Sequence, residues 1–324
     1  MFEGRRYWGG SNAKVPQLNL IELQLESYNW FLAEGIREIL DEVSPIEDFT
    51  GKNWILELGS ISFGEPKYNP EKASLKGVTY DAPLKVQTTL TNKQTGQTYK
   101  QEVFLGDIPQ MTEKGTFIIN GVERVIVNQI VRSPGVFFSD MDDPITGKKL
   151  FAAELRPYRG SWLEFSVSRS DVLTVKIDRR RKFPASIFLR AIGFGSDDEI
   201  KNLFKDIDKG ASDLIDITLA KDPTKNTDEA LLEIFRKMRP GDPVVLDNAK
   251  AFLEGMFFNR RRYNLSRVGR FKINKRLGIG IPNTPENSVL TKEDVIESIK
   301  YLIRLINGEG RTDDIDHLAN RRIR

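Results

Sequence analysis

The chain has no cysteine, which excludes disulfides, thiolate metal sites and a cysteine nucleophile and suits a reducing compartment. It has one histidine, His317, and no GxSxG-like elbow, so a serine triad lacks its parts. No stretch approaches the roughly 18 uninterrupted apolar residues of a membrane span. Met1-Phe2-Glu3-Gly4-Arg5-Arg6 has no signal-peptide core behind it, and a cytoplasmic location is expected. Neither a Walker A loop nor a dinucleotide fingerprint is present: Gly278-Ile279-Gly280 runs into Ile281-Pro282 and cannot open a phosphate-binding helix. There is no fixed-period repeat and no low-complexity tract.

Net charge is also nearly missing, at +3 from 49 Lys and Arg against 46 Asp and Glu, but its distribution is uneven. Basic residues cluster at Arg179-Arg180-Arg181-Lys182, at Arg260-Arg261-Arg262 and at Arg321-Arg322-Arg324. Acids cluster at Asp140 to Asp143, Asp197 to Glu199 and Asp313 to Asp316. Local basic faces can hold a polyanion on a near-neutral molecule. With 324 residues, 39% of them hydrophobic and 29% charged, the chain is expected to be soluble, globular and divided into two domains.

The apolar spacing Ile21, Leu25, Tyr28, Leu32, Ile36, Ile39 predicts a helix over residues 19–40, capped by Asn19 and Glu22, whose stripe covers a sheet. Strands are predicted at 54–63, 84–90 and 99–105, with a hairpin tip at 92–97. Thr116 to Ile119, the Asn120-Gly121 turn and a return over 122–131 make a central hairpin, stopped by Arg132-Ser133-Pro134-Gly135. That corner holds Arg132 where phosphate or carboxylate could be recognised. Residues 140–149 read as an exposed loop, 162–167 and 173–177 as strands. Helices follow at 186–192, at 197–207 capped by Ser196 and Glu199, at 228–238 and at 247–258. Residues 210–225 are ambiguous and 269–277 suggest a short strand. A helix capped by Thr291 and Asp294 ends at Gly308, with a loop-like tail beyond. The fold class is α+β: a hairpin-containing sheet domain with a long helix, then a mainly helical domain with a small sheet.

Among candidate sites, Asp313, Asp314, Asp316 and His317 lack the alternating arrangement that converges oxygens on one metal ion, and Asp140 to Asp143 lack the glycine and glutamate of an EF-hand. Nucleic-acid contact is better supported. Arg156, Arg159 and Trp162 lie within seven residues, with Gly160 permitting close backbone approach, so guanidinium and indole could grip phosphate and stack on an unpaired base. The basic run 179–182 precedes the Pro184 breaker.

The words IPxMTxxGTFIINGxERVIVxQ and RSPGVFF closely resemble the amino-terminal part of the β subunit of bacterial and plastid-type RNA polymerase. LIELQLESYNWFL, YDAPL, RPYRGSW, DRRRKFP, RPGD and DDIDHLANRRIR agree with it in the same order along nearly the whole chain. The resemblance implies a protrusion (1–134), a lobe (135–312) and a return segment into the protrusion (313–324), about the first quarter of a β subunit. It implies one side of the DNA channel, with non-template strand contacts at Arg132, Trp162, Asp316 and Arg321. Asp316 would accept from a guanine edge, Trp162 would stack, and Arg180 and Lys182 would make backbone contacts. It also implies factor docking at the strand edge Thr98, Tyr99, Lys100, by the transcription-repair coupling factor or CarD-type regulators. Part of the rifamycin pocket would fall near Val127 and Gln129. Further expected partners are the remaining β subunit, β′, the α dimer, σ and ω. No cofactor belongs to this chain, the polymerase magnesium being held by another subunit, and the chain is not expected to catalyse alone. Two departures stand out: Val131 where many relatives have His, and Ala319 where they have Gly, which would strain the tail if that position needs φ > 0. Alternative functions are a protein-docking module without nucleic-acid contact and, less favoured, an independent nucleotidyltransferase.

Overall fold

The computed structural model describes residues 19–48, 50–208 and 213–323. The segment read for a signal peptide, the start of the ambiguous stretch 210–225 and Arg324 lie outside them. The chain forms two compact units divided between Val127 and Asn128.

In the first unit the expected long helix is present but interrupted. Helix α1 (Glu22–Trp30) passes through a five-residue π turn at Phe31–Gly35 into α2 (Ile36–Val43). The Asn19 carboxamide accepts from the Ile21 N–H at 3.2 Å, and no side chain caps α1. The apolar stripe meets less surface than expected. Tyr28 stands edge-on to Phe117 at 5.4 Å, and its hydroxyl donates to the Pro109 carbonyl at 2.7 Å, while Leu23, Trp30 and Ile39 stay exposed.

Strands β1 (Ile46–Glu47) and β2 (Trp54–Phe63) come next, then the short helix α3 (Pro70–Lys76) and strands β3 (Asp81–Asn92) and β4 (Thr98–Pro109). The four strands form an antiparallel sheet in the order β1-β2-β3-β4. Ala82, Leu84, Val86 and Thr88 of β3 alternate into a small core, as a half-buried strand must. Strand β4 is the sheet edge, exposed on both faces from Thr98 to Leu105. The central hairpin forms as β5 (Phe117–Ile119) and β6 (Val122–Arg124), with φ of 50° at Asn120 and 78° at Gly121. A Cβ at Gly121 would lie 2.6 Å from the Gly77 Cα, so glycine is needed there twice over. The return strand is shorter than its sequence suggests. It stops at Arg124, because the partner of β7 (Ile130–Arg132) comes from the far end of the chain.

The second unit opens with the meander β8 (Gly135–Asp142), β9 (Lys149–Arg156), β10 (Leu163–Val167), β11 (Leu173–Ile177) and β12 (Arg181–Pro184), paired in that order. The loop expected over 140–149 is shorter, since Asp140, Met141 and Asp142 pair with Phe151, Leu150 and Lys149. The register puts Phe138, Ala153, Phe165, Val175 and Phe183 in one row across the five strands, all buried. This face is covered by α4 (Ala185–Ala191), α5 (Asp197–Phe204), α6 (Leu214–Ala220), α7 (Thr227–Met238), α8 (Leu246–Phe257), α9 (Ser266–Leu277) and α10 (Lys292–Ile306). The Ser196–Glu199 and Thr291–Asp294 capping boxes both form.

Residues 269–277, expected as a strand, belong to helix α9. Gly269 packs on Pro134, Ile273 enters the core, and the buried Arg270 ion-pairs with Asp294 at 2.6 Å. With a charged residue at one of the inward positions, hydrophobicity alone did not report the helical period. The tail ends in β13 (Arg321–Ile323), antiparallel to β7. Among the described residues no helix is long and apolar enough to cross a membrane.

Candidate nucleic-acid interface

The sheet face opposite the helices gathers the predicted side chains. In an antiparallel ladder directly paired residues share a face. Glu154, Glu164, Lys176 and Lys182 therefore form one row on the outer face, and Arg156 and Trp162 fall on it by alternation. Arg132 reaches this face from β7. Its guanidinium Nη1 donates to Glu154 Oε2 at 2.6 Å, and Arg156 Nε donates to the same oxygen at 2.8 Å.

Trp162 is half-buried between cations. The Cζ of Arg156 lies 3.9 Å from its ring centroid and that of Arg179 lies 4.1 Å away. Arg179 is delivered there by a tight turn: Asp178 and Arg179 both have positive φ, 49° and 58°, and the Arg180 N–H closes back on the Ile177 carbonyl at 3.0 Å.

Electrostatically the cluster is short of negative charge. Burial pushes the Arg156 guanidinium below its ordinary pKa; Glu154 opposes this, and the neighbouring charges of Arg132 and Arg179 add to it. One carboxylate thus serves Arg132 and Arg156, with Arg179 close by.

The tail adds the remaining predicted residues. Arg321 is the register partner of Arg132, and its guanidinium pairs with the largely exposed Asp316 carboxylate. Ala319 is not among the residues with positive φ. Its carbonyl accepts from the Lys272 ammonium, which also donates to the Ser133 hydroxyl at 2.5 Å, tying the tail to the Ser133–Pro134 corner. Val131 pairs with Arg322, whose guanidinium stacks on Tyr158 at 4.3 Å. Asp313 does not turn toward Asp316: it accepts from the Phe138 N–H at 2.8 Å and pairs with Arg276 at 3.1 Å. Among the described residues no group of three or more acidic or imidazole side chains could hold a metal.

Arg180 and Lys182 are exposed at the meander's far edge, with Lys182 opposite Lys176. Thr98, Tyr99 and Lys100 lie on the β4 edge of the first unit and are exposed. Val127 and Gln129 lie on exposed irregular backbone between β6 and β7, on either side of the unit division. The sequence reading missed Glu154 and the selection of Arg179 from its basic run. Glu154 could have been found by counting two residues back from Arg156 along an alternating strand; Arg179 required the turn geometry.

Fold and site define a two-unit α+β chain with a cation-rich open sheet face. The family described as RNA polymerase Rpb2, domain 2, matches residues 132–324. The DNA-directed RNA polymerase subunit beta of Chloroflexus aggregans (strain MD-66 / DSM 9485) is 45% identical over 333 aligned residues, covering 94% of this chain and 27% of that protein. The chain belongs to the RNA polymerase Rpb2 (β-subunit) family, and it spans about a quarter of the length of that relative.

Proposed function

We propose that the chain is the amino-terminal, non-catalytic part of a polymerase β subunit, with residues 1–134 the first part of the protrusion, 135–312 the lobe and 313–324 the start of the return segment into the protrusion. It forms one side of the DNA channel, working with the rest of β, with β′, the α dimer, σ and ω, and leaving the catalytic magnesium to another subunit. The observation that carries this reading is the grouping of Arg132, Glu154, Arg156, Trp162 and Arg179 on one face, with Arg321 and Asp316 adjoining. A cation excess around a half-buried aromatic suits an unpaired strand, whose phosphates draw off the arginines so that a base takes the place of one of them on the indole. Asp316, exposed and paired with the nearby Arg321, accepts from an amino or imino edge such as that of guanine. Arg180 and Lys182 give sequence-independent contacts.

In the assembled polymerase, Trp162→Ala and Arg132→Ala each shorten the lifetime of the open promoter complex; unchanged lifetimes in both contradict the reading. A second role rests on the exposed β4 edge, where Thr98, Tyr99 and Lys100 offer unpaired main-chain groups to a strand of a transcription factor. The Asn92 N–H to Gln97 carbonyl bond makes Leu90–Tyr99 a hydrogen-bonded pair by alternation, so the Lys100 N–H points away from β3. A proline at Lys100 removes a donor from that edge, and loss of factor binding with DNA binding intact checks it.

A further inference from the structure

The Arg260–Arg262 run has no part in the interface described above, yet the fold sets it beside that interface. It forms a tight turn: the Asn259 side chain accepts from the Arg261 N–H at 2.9 Å, and the Asn259 carbonyl accepts from the Arg262 and Tyr263 N–H groups at 3.0 and 2.8 Å. Phe257 before the turn and Tyr263 after it are fully buried, which fixes both ends. The turn is docked on the loop that leads into Trp162. The Asn264 carbonyl accepts from the Tyr158 and Arg159 N–H groups at 2.8 and 3.0 Å, and the Asn264 N–H donates to the Arg159 carbonyl at 2.8 Å. Gly160, at φ 123°, permits this approach: a Cβ there would lie 2.7 Å from the Tyr263 ring and 3.1 Å from the Arg262 carbonyl.

The exposed residues Arg260 and Arg262 are therefore held on a stiff support next to the Trp162 loop, with the Arg262 guanidinium lying against Gly255 of α8. Among the described residues no ion pair engages Arg260 or Arg262. The nearby carboxyl of Glu286 is held down first by its own backbone N–H and then by the Thr284 hydroxyl, with Arg260 adding a smaller effect. Concentrated like charge of this kind is unfavourable in isolation and is relieved by a polyanion that passes close to it. Guanidinium is suited to phosphate, which it can grip with two parallel hydrogen bonds.

We propose that the Arg260–Arg262 turn is a second phosphate-gripping element, and that its ligand is the sugar–phosphate backbone of the same unpaired strand whose base stacks on Trp162. The proposal rests on the nucleic-acid reading of the Trp162 face and extends the strand's path beyond it.

The test is fluorescence anisotropy of the 324-residue chain with a fluorescein-labelled oligothymidylate of ~16 nucleotides across a salt series. Neutralising the turn with Arg260→Gln and Arg262→Gln lowers the slope of log affinity against log salt by about 1.4, two phosphates at roughly 0.7 each for a single strand. Arg260→Lys with Arg262→Lys keeps the original slope. An unchanged slope in the glutamine pair, while Trp162→Ala weakens binding, overturns the proposal and leaves the Trp162 reading standing. An equal drop for Lys205→Gln with Lys221→Gln, on the helical elements, also overturns it by showing that bulk charge alone is at work. Absence of salt-sensitive binding by the unaltered chain removes the Trp162 reading and this proposal together.

Discussion

The two sheets of this chain are built on the same antiparallel plan and end in opposite conditions. In the second unit one face of the meander is sealed by helices, so the row through Phe165 and the neighbouring Val136, Leu155, Leu163 and Ile177 are buried and the other face is left to charge. In the first unit burial is thin, with Ala82, Leu84 and Val86 inward on β3 while Tyr99, Val103, Phe104 and Leu105 remain exposed on β4. Stability should therefore be concentrated in the second unit. The proposed recognition differs in the same way: side-chain charge on a rigid face in one unit, unpaired main chain on an edge in the other.

The comparison is tested most severely in the two apolar sets. Phe188 is fully buried and meets Phe165 and Phe257 edge-on, so Phe188→Ala is expected to cost ~3–5 kcal/mol in urea unfolding. Phe104→Ala, at a site 56% exposed, should cost less than about 1 kcal/mol. Equal costs would break the contrast.

Next in size are the ion pairs. Arg270 and Asp294 are both buried and also engage the Asn287 and Val289 carbonyls and the Thr291 cap. Asp294→Asn, which leaves the guanidinium unbalanced, is expected to cost ~3 kcal/mol. Glu102→Gln, at the exposed Lys85–Glu102 pair of the first unit, should cost under about 1 kcal/mol in the same measurement.

Helix caps sharpen the comparison, because the same local device occurs in both units. Asn69 accepts from the Lys72 N–H at 2.9 Å at the start of α3, and Thr291 accepts from the Asp294 N–H at 3.2 Å at the start of α10. Alanine at either should cost about 1 kcal/mol. A clearly larger cost at Thr291 would show that its cap and the buried Arg270 pair act as one network.

The smallest effect is one of pH, and only its direction is expected. Asp48 in the first unit is held well below the ordinary carboxylate range by the Thr50 hydroxyl and by the Asn53, Trp54 and Thr50 N–H groups. Asp143 in the second is lowered by the Thr146 hydroxyl and N–H and by Arg169. Both folded pKa values lie below the unfolded ones. Each contribution is therefore complete above the ordinary aspartate value of about 4 and is lost as pH falls through the folded value. NMR titration of the two carboxyls should place Asp143 closer to the ordinary value in Thr146→Val, with Asp48 unchanged.

Much of this architecture was legible in residue order. The Asn120-Gly121 turn, β2, β11 and the boxes at Ser196 and Thr291 depend on neighbours a few residues apart, and they formed where patterning put them. Patterning failed where distant partners decide. Helix α9 was hidden because Arg270 occupies an inward position that Asp294 and the Asn287 and Val289 carbonyls make tolerable, and the return strand was overextended because β7 pairs with residues 321–323. The candidate site divides along the same line. Arg132, Trp162, Asp316 and Arg321 were named from the resemblance their motifs carry, and Glu154 between two arginines and Arg179 against the indole became visible only in the fold.

Local sequence was enough to establish the mixed α+β character, most helix starts and the patches of positive charge, because each follows from residues close along the chain. Folding alone settled which patches share a surface. A strand's outward face acquires meaning only from the register of its neighbours, and a turn aims its arginine only once the strands beneath it are paired. The cations on Trp162 come from residues 156 and 179, the first sharing a carboxylate with residue 132, and no local rule relates positions that far apart.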